Sequence, residues 1–564
     1  MISRTFQEPH CFSTIGTVSL GRLMTTTDHN PDRTADVLIV GAGASGAAVA
    51  TLLSEAGFDV VCIEQGHWQD SFKYPTVERD YELQAMSSWS INPNKRRLPE
   101  DYPTNVDNSA VDPVMFNGVG GSTILWAAHT PRLLPSDFRV KSLDGVADDW
   151  PISYEDLEPW YDLNDQVMGC AGIAGDPANP PRAGRPMLPI PIGKDGEMMA
   201  GAFDRLGWHW WPSENYINST RFGEGRDVCN FCGHNMMGCY QRAKSSTDIT
   251  YWPRAIDQGT ELVTDARVRE ITTDTSGRVT GVNYLDAEGT DHHRSARAVV
   301  MAANGVGTPR MLLLSDSDRH PNGLANSSEL VGKNLMFHVF GQVSGAFPDR
   351  RSPWMGPAVN IINSQEFYET DPARGFLRGY MLRVNRPQGP ASIARGGSVE
   401  RVPWGAGHHE TMKRRFTNTV GIGIMGEDLP DEHNSVSLDE RLTDSSGLPA
   451  PKITYSVSEN SRALVDHGIA QGRIVMQEAG ASEVIVNRQV RETGWHLLGT
   501  ARMGDDPKRS VVDNYGQSHD IDNLFIVDGS VFVTAGAVNP TPTIQAIALR
   551  TADYIANERN DLKA

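Results

Sequence analysis

The sequence predicts an α/β protein, with one doubly wound domain assembled from distant parts of the chain and an α+β domain with an antiparallel sheet set between those parts. Three observations predict it. A complete βαβ pattern stands near the start, a second strand–turn–helix block stands near the end, and short apolar runs alternate with Gly- and Pro-rich stretches between them. At 564 residues the chain exceeds what one compact domain usually holds. The apolar share is 39% before the 54 glycines are counted, which argues against disorder of the whole chain. With 51 Lys and Arg against 70 Asp and Glu, the net charge is −19 and points away from nucleic acid as a partner.

Ala35 to Val40 is short, branched and apolar, as a buried strand requires. Gly41-Ala42-Gly43-Ala44-Ser45-Gly46 follows. Small residues then run at helical density from Ala47 to Leu53, and Gly57 ends the helix. Phe58 to Ile63 reads as a second strand ending at Glu64. This is a Rossmann-like unit with G-x-G-x-x-G at the strand–helix turn, Ser45 included. Gly41 permits the tight turn, Gly43 admits a pyrophosphate close to the backbone, and Gly46 lets the helix pack on the strand. The free N–H groups at the helix start face the phosphates. Glu64 is placed to accept hydrogen bonds from a ribose, and an acid there disfavours a 2′-phosphate. FAD and NAD both remain open on this unit alone. The uncharged run from Val37 to Ser54 belongs to it and is not a membrane span, because three glycines interrupt it and it is short for the purpose.

Near the other end stands Trp495-His496-Leu497-Leu498-Gly499-Thr500-Ala501-Arg502-Met503-Gly504. Leu524 to Val527 reads as a buried strand running into Asp528-Gly529-Ser530. Gly536-Ala537-Val538-Asn539-Pro540-Thr541-Pro542-Thr543 and a helix from Ile544 to about Asn557 complete the block.

Together with Asn117-Gly118-Val119-Gly120-Gly121-Ser122-Thr123 and the segment Ala302 to Leu313, these motifs resemble the glucose–methanol–choline (GMC) flavoprotein oxidoreductases, in family order and over most of the chain. Asn304 departs from the pattern, standing where a small residue is usual. Trp126, Trp150-Pro151 and the His-x-x-Gly-Thr-x-Arg-Met-Gly form look like the gluconate/fructose dehydrogenase and pyranose oxidase branch. The resemblance implies a discontinuous Rossmann-like FAD-binding domain (34–150, 258–339 and 486–564), a substrate-side and Cys-containing segment (151–257), an α+β substrate domain (340–485) and a tail (1–33).

It also implies a chemistry: an alcohol gives its proton to a base and a hydride to the flavin. His496 matches the catalytic histidine, and neutral imidazole suits that task near neutral pH. Asn539 matches the second position, where an amide N–H stabilises developing alkoxide. By the same resemblance Gly120, Gly121 and Ser122 belong to a flavin-side loop. Asp528 and Gly529 face the phosphate or ribitol, unless Asp528 only caps the next turn. Pro540 and Thr541 run along the isoalloxazine, and Val268 meets the adenine. Some members of the branch hold FAD covalently through a His before the Trp of the flavin loop. Leu125 occupies that place here, so non-covalent FAD is expected, with His129 as a loop histidine.

The substrate expected is a sugar, sugar acid or glycoside oxidised at a secondary alcohol to the ketone, with electrons passed to oxygen, a quinone or a cytochrome. A non-redox lyase and an electron-transfer subunit active only in a complex are the alternatives. Cys229, Cys232 and Cys239 are spaced C-x2-C-x6-C. A structural loop with free or disulfide-linked thiols is the preferred reading, so no metal is expected; an iron–sulfur cluster, or zinc with His234, would be the other occupants. The aromatic stretch Trp208 to Trp211 is expected to pack in a core, and residues 386–415 to form a mobile loop. The start of the chain shows no secretory signal, so the expected compartment is the cytoplasm, with export alongside a partner subunit as the alternative.

Overall fold

Within the first βαβ unit, the strand Ala35–Val40 forms where the apolar run lies, and all its residues are buried. The helix starts at Ala44 and ends at Glu55, and Gly57 leaves it at φ 78°. The second strand is Val60–Ile63, shorter than the apolar run, because the Phe58 N–H still bonds back to Leu53 in the helix exit. The computed structural model describes residues 33–564 except 234, 352–353, 358–360, 387–388 and 397–400, so the expected tail lies, apart from Arg33, outside the described residues.

Ala35–Val40 lies parallel to Val60–Ile63 on one side and to Asp291–Met301 on the other. Glu261–Val263 adds beyond Val60–Ile63, and Leu524–Ile526 pairs with the end of Asp291–Met301, both in parallel. The first half of Asp291–Met301 leaves this sheet and pairs antiparallel with Val279–Leu285, which pairs with Arg267–Thr273. Because the parallel strands all point one way, the chain leaves them at one edge, at Gly41, Glu64, Ala302 and Val527. Ligands of such sheets bind at that edge.

A second sheet is antiparallel, in the order Glu483–Asn487, Val339–Ala346, Thr419–Gly426, Tyr380–Asn385, Ile362–Ser364 and Trp211–Pro212. The helix Glu459–Glu478 covers one face, packing Leu464, Val465, Ile469 and Met476 against Val343, Ile422 and Ile424. Trp208 and Trp210 pack against the same core, as expected. The opposite face carries Gln342, Gly423 and Arg383 side by side in register. Residues 386–415 are not simply a loop: Pro390–Arg395 and His408–Phe416 are helical. Ile393 is the buried residue of the first and Arg415 of the second, so neither has the apolar stripe by which a helix is read from sequence.

One buried cation ties the antiparallel sheet to the short helices Pro135–Phe138 and Val140–Asp144. Arg378 precedes the strand Tyr380–Asn385 and is 1% exposed. It donates to Asp137 at 2.6 Å, Glu427 at 2.8 Å and Asp144 at 2.9 Å. The Tyr368 hydroxyl donates to Asp137 and accepts from the Ala537 N–H at 3.1 Å. Arg378→Met is expected to lower stability by about 3–5 kcal/mol, because it strands buried carboxylates without a counter-charge; denaturant unfolding measures it, and a loss under about 1 kcal/mol would contradict this role.

Candidate active site

A cavity of about 350 Å³ lies where the carboxyl edge of the parallel sheet meets the Gln342–Arg383 face of the antiparallel sheet. Its nucleotide end is built by the first turn. Gly41, Gly43 and Ser45 line it. Gly41 holds φ 104°, and a Cβ there would stand 2.7 Å from the Ala302 carbonyl oxygen. Nothing lies within 4 Å of where a Cβ of Gly43 would be, so the backbone is open to a ligand. Gly46 faces away, and a Cβ on it would run into the Gly41 carbonyl and Ala302. No side chain caps the helix Ala44–Glu55, and its first turn carries no acid, which leaves N–H groups and the dipole free for an anion.

Glu64 and Val268 line the same end. Glu64 accepts from the Ala42 N–H at 2.8 Å and the Gly66 N–H at 3.0 Å, and burial raises its pKa. Gly121 and Ser122 line the wall, while Gly120, at φ 98°, stands behind them against Asp248 and Ile124. Asp528 and Gly529 also line the cavity. Asp528 does cap the following turn, accepting from the Ser530 N–H at 2.9 Å, and it accepts from the Thr308 hydroxyl at 2.5 Å. Asn304 takes φ 67°, which Asn tolerates, and its Oδ1 accepts from the Val306 N–H at 2.9 Å.

At the far end His496, Asn539, Pro540 and Thr541 line the cavity. Asn539 Nδ2 lies 3.3 Å from His496 Nε2. His496 Nδ1 lies 2.7 Å from His338 Nδ1, and His338 Nε2 lies 2.7 Å from the Gly536 carbonyl oxygen. Asn539 Oδ1 is 2.9 Å from His129 Nδ1 and 3.3 Å from Arg383 Nη1. Burial pushes the His496 pKa well below 6.5, and His338, Arg383 and His129 push it the same way. His129 and His338 are pushed down to about 3, chiefly by burial. All three imidazoles are therefore neutral at neutral pH. Burial also lowers Arg383 to about 10, and its guanidinium stacks 5.2 Å from the Phe340 ring.

His129 lies in a loop, as expected, but it is 2% exposed and its Nδ1 meets Asn539, so it belongs to the cluster. His338 and Arg383 carry no motif. The strand register brings them in, and the alternation Phe340, Gln342 against Val339, Gly341 was the available signal.

Known proteins share this architecture. The GMC oxidoreductase family matches residues 213–340 and again 430–548, and an NAD(P)-binding Rossmann-like domain matches residues 39–101. The 2-methyl-1,2-propanediol dehydrogenase of Mycolicibacterium austroafricanum is 42% identical over 534 residues, covering 93% of this chain and 96% of that protein. The chain belongs to the GMC oxidoreductase family. The fructose dehydrogenase large subunit of Gluconobacter japonicus is 30% identical over 94% of this chain and 99% of that one. Pyridoxine 4-oxidase from Mesorbium loti has the same fold, with a TM-score of 0.62 at 17% identity over 92% of this chain and 99% of that one. A formate oxidase variant from Aspergillus oryzae gives 0.65 at 16%, over 95% and 100%.

This GMC protein is thus an FAD-dependent oxidoreductase acting on CH–OH groups of alcohol- or sugar-type substrates. The cavity fits the cofactor: an open glycine turn, an uncapped helix start and an acid at one end, and a histidine–amide pair at the other. Among the described residues no helix is long and apolar enough to cross a membrane, and no three His, Cys, Asp or Glu side chains group to hold a metal ion. Cys229, Cys232 and Cys239 are free thiols, and His234 lies outside the described residues. Acid precipitation is expected to release yellow FAD into the supernatant, since Leu125 stands where a tethering His would; flavin retained in the pellet would contradict this.

Proposed function

We propose that the protein oxidises a secondary alcohol of a sugar, sugar acid or glycoside to the ketone, with His496 as the base and Asn539 as the oxyanion donor. The observation that carries this reading is the His496–Asn539 pair, held 3.3 Å apart at one end of a cavity whose other end is a glycine-lined nucleotide cradle. FAD, when bound, supplies the hydride acceptor. Gly41, Gly43, Ser45 and the helix start receive its pyrophosphate, Glu64 and Val268 its adenosine part, Gly121, Ser122, Asp528 and Gly529 its centre, and Pro540 and Thr541 its ring. Gly46 and Gly120 act on this cofactor by shaping those turns.

His496 takes the hydroxyl proton at Nε2. The Asn539 N–H groups stabilise negative charge on the same oxygen in a site from which burial excludes water. The polar face above them favours a substrate with several hydroxyls. Gln342 and Arg383 line the cavity, Asn385 adjoins Gln342, and glycines at 421 and 423 leave room between them: a Cβ at 423 would stand 3.3 Å from Asn385 Nδ2. The fructose- and diol-acting names of the relatives agree with such a substrate; a small vicinal diol is the second reading, favoured by the 42% identical dehydrogenase.

His496→Ala is expected to keep FAD and slow its reduction by about 10²-fold or more. Full-rate reduction would remove His496 as the base. The base works unprotonated, and its pKa is held below 6.5. The kcat/KM profile is therefore expected to stay flat from neutral pH down through 6.5 and to show its acid limb only in more acidic buffer. An acid limb centred at or above 6.5 would contradict the environment described.

A further inference from the structure

The active-site cluster is a chain of hydrogen bonds whose direction is dictated by its two ends. At one end is Arg383, whose guanidinium can only donate, 3.3 Å from Asn539 Oδ1. At the other is the Gly536 carbonyl, which can only accept, 2.7 Å from His338 Nε2. Between them each link needs one hydrogen and one lone pair. The Gly536 carbonyl requires the hydrogen of His338 on Nε2. Burial keeps that ring neutral, so its Nδ1 is a lone pair. His496 must then carry its hydrogen on Nδ1, 2.7 Å away. Its Nε2 is left as a lone pair, facing the Asn539 amide N–H. The Asn539 oxygen takes the hydrogens of Arg383 and of His129 Nδ1. Reversing any single link sets two hydrogens or two lone pairs face to face.

We propose that His338, anchored on the Gly536 carbonyl, is a positioning residue that keeps His496 Nε2 unprotonated and available to the substrate, and that Arg383 fixes the amide N–H of Asn539 in the same way. The inference rests on the reading of His496 as the base. His338 lies behind His496 and does not line the cavity. The groups acting electrostatically on His496 are His338, Arg383 and His129, all neutral or cationic. A carboxylate in the place of His338 would also orient the ring, but it would raise the pKa and hold an imidazolium. A neutral imidazole orients without doing so. With the hydrogen on Nε2, His496 would present a proton where it has to accept one.

Holoenzyme labelled with ¹⁵N at histidine tests the assignment directly. Long-range ¹⁵N–¹H spectra at neutral pH, with His496→Ala and His338→Asn spectra to assign the signals, are expected to show the hydrogen on Nδ1 of His496 and on Nε2 of His338. A hydrogen on Nε2 of His496 overturns the proposal. Kinetics supply the second arm. His338→Leu removes the acceptor and is expected to lower kcat by about 10²-fold with little change in KM, FAD content or flavin spectrum. His338→Asn returns an acceptor oxygen near the place of Nδ1 and is expected to recover most of that loss. A Leu variant at the wild-type kcat, or an Asn variant as slow as the Leu variant, overturns it too. If the Leu variant does not fold, the wild-type spectrum decides. Full activity of His496→Ala would instead remove the base and leave the hydrogen assignment standing on its own spectrum.

Discussion

The arrangement depends on the buried guanidinium of Arg378. It stands just before the strand Tyr380–Asn385 of the antiparallel sheet, and its carboxylate partners come from two regions: Asp137 and Asp144 early in the chain, Glu427 just past the strand Thr419–Gly426. Asp137 in turn holds the Tyr368 hydroxyl, which holds the Ala537 N–H. The turn that presents the Gly536 carbonyl and Asn539 is thereby fixed to the sheet that presents His338 and Arg383. Charges in a dry interior interact strongly and tolerate little misplacement, so such a node fixes relative position more sharply than apolar contact does. The short distances of the histidine cluster require that precision, because its residues come from positions 129, 338, 383, 496 and 539.

The cavity forms because two kinds of sheet present different surfaces to each other. A parallel sheet offers its edge, where strands end in turns with free backbone groups. An antiparallel sheet offers a face, where alternate side chains point one way. Gly41, Gly43, Asp528 and Gly529 belong to the first surface, and Phe340, Gln342 and Arg383 to the second. Backbone and helix ends suit phosphates and flavin carbonyls, while projecting side chains suit hydroxyl groups.

The edge was legible in the sequence and the face was not. Turns are encoded locally: glycines at 41 and 46 answer steric demands that the structure shows, Gly43 leaves its backbone open, and the strands at 35–40 and 524–526 stand where apolar runs mark them. His496 and Asn539 sit in local motifs and were equally readable. His129, His338 and Arg383 become neighbours only through contacts between residues far apart in the chain; the alternation after His338 marks a strand but not what that strand meets. The helices Pro390–Arg395 and His408–Phe416 escaped for another reason, since a helix with one buried residue has no apolar period to read.

The electrostatics of the cluster follow from the same burial. Arg383 has no acidic partner among the described residues, and three histidines beside it are pushed toward neutrality. A lowered pKa makes His496 a weaker base, yet keeps it free of a proton across the neutral range. Burial is the main cause of that lowering; the Arg383 guanidinium adds to it, and on the proposed mechanism its charge favours negative charge on a substrate oxygen next to Asn539. The two effects act on the two partners of one proton transfer. On the proposed mechanism, the part of the lowering that comes from Arg383 also lowers the proton affinity of the alkoxide, whereas the part that comes from burial favours the neutral form of both partners.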